Sequence, residues 1–143
     1  MASDMIDKPT IFDLEPPGEE QFRALAADLD DDERRVLLNH GTEAPFCGVF
    51  LDEKRKGVFT CRLCGLPLFK GGAKFDSGTG WPSFYTFIDG ALGTSEDNSL
   101  FMARTEVHCS NCGGHQGHVF EDGPPPTGLR YCINGLSLKF VPA

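Results

Sequence analysis

Hydrophobic spacing divides the chain into an arm, a helical segment and a β-rich remainder. Residues 1–17 are polar and carry Pro9, Pro16 and Pro17, which predicts an extended, flexible arm. In residues 18–41 the period is helical. Phe22, Leu25, Ala26 and Leu29 fall at i, i+3, i+4 and i+7, one face of a helix. Asp30 then reads as an N-cap, with Glu33 three residues on completing a capping-box pair. Val36 and Leu37 give a second short helix its apolar face, and Gly41 after His40 is its expected stop.

From residue 46 the helical spacing disappears. Short β-like runs stand between turn residues: Gly48–Leu51, Val58–Cys61, Pro67–Lys70, Ser83–Phe87, Leu100–His108, Gly117–Glu121, Leu129–Asn134 and Leu136–Val141. Most of the chain's 17 glycines and 10 prolines lie in this part. The expected fold is mainly β: two antiparallel sheets packed face to face, preceded by short N-terminal helices. Gly123-Pro-Pro-Pro-Thr-Gly128 is a rigid loop, too short to link domains. Residues 18–143 are therefore read as one domain, the ordinary outcome for 143 residues. At that size roughly two-thirds of the unfolded surface can be buried.

Six cysteines change this picture. Four lie in two CxxCG units, Cys61-Arg-Leu-Cys64-Gly65 and Cys109-Ser-Asn-Cys112-Gly113, with 44 residues between Cys64 and Cys109. Two such pairs supply the four thiolates of a tetrahedral structural Zn²⁺. Glycine after each second cysteine fits a tight turn with φ > 0. Two disulfides are the competing reading and suit a secreted chain. The first eight residues show no apolar h-region or cleavage pattern, which favours a cytoplasmic, reducing location and hence metal. His115 and His118 follow Cys112 closely, so a mixed site is conceivable, although four thiolates already satisfy zinc. A closed four-sulfur site has no open position for substrate, which directs attention to Cys47 and Cys132.

Cys132 sits in Leu129-Arg-Tyr-Cys-Ile-Asn134. Alternation puts Leu129, Tyr131 and Ile133 on one face and Arg130, Cys132 and Asn134 on the other. One reading makes Cys132 a small hydrophobe at a sheet edge. The other makes it a nucleophilic thiol, with Arg130 favouring the thiolate and Asn134 donating to a bound oxygen.

Net charge is −8, which argues against phosphate backbones and anionic membranes. Lys54-Arg55-Lys56 is the lone basic run and reads as a solvated hairpin tip. No stretch approaches the roughly 18 consecutive apolar residues of a membrane span.

Five segments carry a resemblance: Gly41-Thr-Glu-Ala-Pro-Phe46, Lys74-Phe-Asp-Ser-Gly-Thr-Gly-Trp-Pro-Ser-Phe84, Arg104-Thr-Glu-Val-His-Cys109, His115-Gln-Gly-His-Val-Phe120 and Gly128-Leu-Arg-Tyr-Cys-Ile-Asn134. In this order, over roughly residues 29–141, they resemble the methionine-R-sulfoxide reductases of the B type. The resemblance implies a β-rich domain with a distal zinc, and a thiol-dependent reduction of methionine-R-sulfoxide, free or in proteins. Cys132 matches the family's catalytic cysteine, and Trp81 the aromatic residue against the substrate methyl group. His115 and His118 match histidines on the sulfoxide-oxygen side, and Arg130 and Asn134 match polar residues around the thiol. On a straight strand His115 and His118 would point to opposite faces. They share one site only if the chain bends at Gly117 or at Gly113-Gly114. Taken without the motif, either histidine, like Trp81, reads as structural.

Many family members carry a resolving cysteine just before Gly-Trp-Pro-Ser-Phe, where this chain has Thr79. Cys47 is the candidate in its place, forming a disulfide with Cys132 that a thioredoxin-like donor reduces; the alternative is an external thiol. A monomer is expected. A non-catalytic zinc-bearing binding module on the same scaffold is the other function class, but such a module has no need of Arg130, Cys132, Asn134 and Trp81 together.

Overall fold

The computed structural model describes residues 18–42, 50, 53–98 and 103–143. The expected arm over 1–17, Cys47, and the Gly48–Leu51 run apart from Phe50 lie outside the described residues, as do positions 100–102 of the run expected from Leu100.

Two helices lead. α1 spans Glu19–Ala27 and α2 spans Asp31–Leu37. The break between them is written by Asp30: its carboxylate accepts from Glu33 N at 2.8 Å, and Glu33 Oε1 accepts from Asp30 N at 3.0 Å. This reciprocal pair satisfies two donors that a helix start leaves unpaired. Phe22, Leu25 and Ala26 of α1 rest against the core, while Leu29, Val36 and Leu37 are buried. The stop after α2 differs from expectation. His40, not Gly41, takes the left-handed conformation (φ 58). Gly41 donates to Arg35 O at 2.8 Å, and a Cβ there would meet that same oxygen at 2.8 Å. Gly41 is thus required by close approach rather than by its dihedral.

Among the described residues nine strands follow: β1 Gly57–Cys61, β2 Pro67–Lys70, β3 Lys74–Phe75, β4 Ser83–Phe84, β5 Leu92–Asp97, β6 Arg104–Cys109, β7 His115–Phe120, β8 Arg130–Ile133 and β9 Leu138–Pro142. They form a three-stranded sheet in the order β9-β1-β2 and a six-stranded sheet in the order β3-β4-β8-β7-β6-β5. All pairings are antiparallel. β3 and β5 were not expected. Residues 54–56 are exposed, and a bend at 55–56 leads into β1.

The two sheets meet through aromatic rings. Phe84 of β4 stacks on Phe69 of β2 at 4.1 Å and meets Phe59 of β1 edge-on at 5.2 Å. All three rings are fully buried, each worth about 1.5–3 kcal/mol of transfer free energy. Tyr131 and Ile133 of β8 join this core as alternation requires, leaving Arg130 and Cys132 on the other face. Among the described residues no helix is long and apolar enough to cross a membrane.

Candidate active site and metal centre

The metal centre begins at two strand ends. Cys61 closes β1 in one sheet and Cys109 closes β6 in the other. Each opens the same turn. Cys61 O accepts from Gly65 N at 2.9 Å and Cys61 N donates to Leu66 O at 2.8 Å; Cys109 repeats both bonds with Gly113 and Gly114 at 2.9 Å. Gly65 (φ 86) and Gly113 (φ 80) take the left-handed conformation that each turn needs. The four sulfurs converge, with Cys61–Cys112 at 3.7 Å and Cys64–Cys109 at 3.6 Å. All four lie within 4.8 Å of one another and could hold a metal ion. Hydrogen bonds among the sulfurs push Cys64 and Cys109 below the usual thiol range and Cys61 and Cys112 above it. Gly114 N and Gln116 Nε2 also donate to sulfur, at 3.4 and 3.7 Å. Arg62, inside the first turn, pairs with Glu33 at 2.9 Å and ties the centre to the capping box of α2.

The second site lies on the half-buried face of β8. Cys132 stands directly across from Ser83 on one side and His118 on the other. It lines a cavity of about 230 Å³ together with Thr79, Trp81, Arg104, His118, Arg130 and Asn134. Trp81 is brought there by its own loop: Pro82 O accepts from Ile133 N at 2.9 Å, and Trp81 O accepts from Ser83 Oγ at 3.1 Å. Thr79 Oγ1 is 2.8 Å from Ser77 Oγ, which is 2.7 Å from Ser83 Oγ. Arg130 forks onto Asp122 at 2.9 and 3.1 Å and lies 4.6 Å over the Phe120 ring. The bond to Asp122, and then the charge interactions with Asp122 and Cys132, raise the Arg130 pKa. The same bond lowers that of Asp122.

A bulge decides the histidines. Between β6 and β7, Val107 pairs with Gly117 but the next residue, His108, pairs with His115. Gln116 is the extra residue, and one extra residue reverses the alternation. His115 and His118 therefore end close together, with ring centroids 5.6 Å apart. Asn134 holds the bulge: its backbone N and its Nδ2 both donate to Gln116 O, at 2.8 and 3.2 Å.

The two histidines share the wall of one cavity, but only His118 also reaches the cavity of Cys132. His118 lines the Cys132 cavity, and its Nε2 is 2.8 Å from Asp97 Oδ2, which Arg104 also binds at 3.1 Å. His115 instead lines an adjoining cavity of about 380 Å³, with Thr42, Arg104 and His118 common to both. Its Nδ1 lies 2.5 Å from Glu106 Oε2, and that bond draws the buried ring toward β6. Burial lowers the His115 pKa, against the pull of Glu106. Burial also pushes Glu106 up, but bonds from His40 and His115 prevail and hold it below the usual carboxylate range.

Sequence reasoning missed Asp97, Arg104, Glu106 and Asp122 as members of these networks. Asp97 ends the unexpected strand β5 and gave no signal. Glu106 could have been found: it is the one carboxylate of β6 and is buried there beside Val107.

Comparison with known proteins agrees with this geometry. The family model described as SelR domain matches residues 29–142. The chain is 59% identical over 133 residues to the Peptide methionine sulfoxide reductase MsrB of Caulobacter vibrioides, covering 92% of this chain and 84% of that protein. It is 55% identical to the protein of the same name from Xylella fastidiosa, covering 92% and 85%. With that of Methanosarcina mazei the identity is 53%, covering 87% of each. The chain belongs to the SelR-domain family, that of the MsrB methionine sulfoxide reductases.

Proposed function

We propose that this protein reduces methionine-R-sulfoxide, free or within proteins, to methionine, with Cys132 as nucleophile. The observation that carries the reading is the cross-strand pair Cys132–His118, facing a cavity walled by Trp81 and Arg130. Arg130 stabilises the thiolate. The Cys132 sulfur attacks the sulfoxide sulfur as the oxygen is protonated. Oxygen passes to Cys132 as a sulfenic acid, and methionine leaves. Asp97 orients the imidazole of His118, which lies on the oxygen side and handles the proton. Trp81 offers an apolar face to the S-methyl group. His115 acts from behind His118.

The sulfenic acid then condenses with the Cys47 thiol, releasing water and forming a disulfide. A thioredoxin-like dithiol reduces that disulfide through a mixed disulfide. Thr79, at the position where many family members carry the resolving cysteine, lines the Cys132 cavity, so a thiol must arrive from elsewhere.

The metal is proposed to be a structural Zn²⁺. Zinc–sulfur bonds of about 2.3 Å put tetrahedral sulfurs roughly 3.8 Å apart, and two of the sulfur–sulfur separations here are 3.6 and 3.7 Å. Bound there, zinc would hold all four cysteines as thiolates and strap β1 to β6.

The test is an assay of both sulfoxide epimers with a dithiol donor. Activity on the R epimer, lost in Cys132→Ser with zinc content unchanged, supports the reading. Preference for the S epimer, or parent-like turnover of Cys132→Ser, refutes it.

A further inference from the structure

His40 takes no part in the mechanism above, yet it reaches the site. It follows α2, and its left-handed backbone (φ 58) turns the ring back onto the six-stranded sheet. There His40 Nδ1 contacts Glu106 Oε2, the same oxygen that His115 Nδ1 meets at 2.5 Å. Ser95 Oγ is 3.5 Å from the other carboxylate oxygen. The three side chains grade from surface to interior: His40 is 61% exposed, Glu106 12% and His115 1%.

Two imidazoles and a carboxylate are also a metal-ligand set, but the spacing is that of shared protons. Nitrogen and oxygen donors about 2.0–2.1 Å from a tetrahedral zinc stand roughly 3.3 Å apart. At 2.5 Å, His115 Nδ1 and Glu106 Oε2 have a hydrogen between them, not an ion.

The chemistry follows from the carboxylate. Ionised Glu106 only accepts, so both histidines present Nδ1–H to it. In a neutral imidazole that makes Nε2 the unprotonated nitrogen. For His115, Nε2 has no hydrogen-bond partner among the described residues. The other charged or titratable groups around His115 are His118 on its own strand, Asp97 at the end of β5 and Arg104 on β6. Asp97 is bound to His118 and Arg104, which leaves Glu106 to orient His115.

We propose that His40 is a positioning residue: by donating to Glu106 it fixes that carboxylate, and thereby holds His115 as its Nδ1–H tautomer with Nε2 as the acceptor. The catalytic part of the proposal rests on the function argued above. There, Nε2 of His115 accepts a hydrogen bond from the water through which His118 passes the proton to the sulfoxide oxygen. His40 sits at the surface beside Thr42, so the segment that follows α2 is coupled to the chemistry through one carboxylate.

The test uses the zinc-loaded, full-length protein labelled with ¹⁵N. Its four histidines are few enough to assign by substitution. Multiple-bond ¹⁵N spectra of the parent should show His115 with a protonated Nδ1 and a pyridine-type Nε2. In His40→Ala the His115 signals should shift to a mixture of tautomers. Loss of part of a hydrogen bond to a charged group should lower kcat about tenfold, with KM within about twofold. His40→Asn should restore both, because Asn supplies an N–H and tolerates the left-handed backbone. An unchanged His115 tautomer in His40→Ala overturns the proposal whatever the activity does. A shifted tautomer with parent-like kcat overturns the link to catalysis. A parent without sulfoxide reductase activity refutes the function instead, and the tautomer comparison still decides the positioning.

Discussion

His118 and Cys132 face each other across the antiparallel pair β7–β8, one residue after Gly117 faces Ile133. Gly117 is what lets the strands close at this point. A Cβ built there would lie 2.0 Å from Cys132 O, a separation no packing adjustment accommodates. Sheet register, not a flexible loop, thus sets the approach of imidazole to thiol.

Gly117→Ala should therefore force β7 and β8 apart beneath the nucleophile. The expected cost is about 3 kcal/mol, or a fall in Tm of about 10 °C. Activity should fall further than stability explains, since Cys132 and His118 separate together. Calorimetry alongside kcat measured well below Tm checks this. A variant with parent-like Tm would show that the close approach is not there.

The metal centre carries a different expectation. Its turns join the two sheets and, through Arg62 and Glu33, the start of α2. Binding of a structural zinc is worth about 10–16 kcal/mol, as much as the whole stability of an ordinary domain, about 5–15 kcal/mol. Cys112→Ser, or exhaustive chelation, should lower zinc from one ion per chain to none and abolish cooperative unfolding. Metal analysis with thermal melts reads both. A metal-free chain that melts like the parent would contradict the strap.

Acid stability follows from two shifted groups. Glu106 has a lowered folded pKa, so its contribution is present above the ordinary carboxylate pKa and is lost as pH falls through the folded value. His115 has a folded pKa below its ordinary value of 6.5. The unfolded chain takes up that proton first, so stability also declines as pH drops below about 6.5. Melting temperature should fall in two stages, one beginning below about pH 6.5 and one below about pH 4.5. Glu106→Gln should flatten the lower stage. Its persistence in that variant would assign the slope to other carboxylates.

Much of this was legible in the chain because local patterns decided it. Pro67–Lys70 lies between turn signals and emerged with the bounds expected. Asp30 and Glu33 form their capping box from adjacent sequence alone. The alternation of Leu129–Asn134 put Tyr131 and Ile133 in the core. What stayed hidden depends on partners. β5 is a solvated edge strand, Leu-Gly-Thr-Ser-Glu-Asp, without the apolar period that marks a strand. The bulge at Gln116 exists only relative to β6, so one strand's sequence could not say that His115 and His118 converge. His40 reaches Glu106 across 66 residues, and no spacing rule spans that distance. The family resemblance, rather than periodicity, brought Trp81 and the histidines together with Cys132.

The last prediction concerns the second thiol. Thr79 occupies the cavity wall where many relatives by family pattern keep their resolving cysteine, and its hydroxyl is engaged with Ser77. Cys47 lies outside the described residues, five positions beyond Thr42, which lines the same cavity. Five residues span up to about 17 Å when extended, which is enough chain to carry a thiol to Cys132. A disulfide needs the two Cα atoms within roughly 7 Å. Cys47→Ser should still convert one equivalent of sulfoxide per chain in a single turnover, because Cys132 is untouched. Multiple turnover with thioredoxin should fall at least about tenfold, since thioredoxin attacks disulfides and the variant offers only a sulfenic acid. Peptide mapping after one equivalent of sulfoxide should find Cys47 joined to Cys132 in the parent. Recovery of Cys47 as a thiol, together with undiminished turnover of Cys47→Ser, would assign resolution to an external thiol.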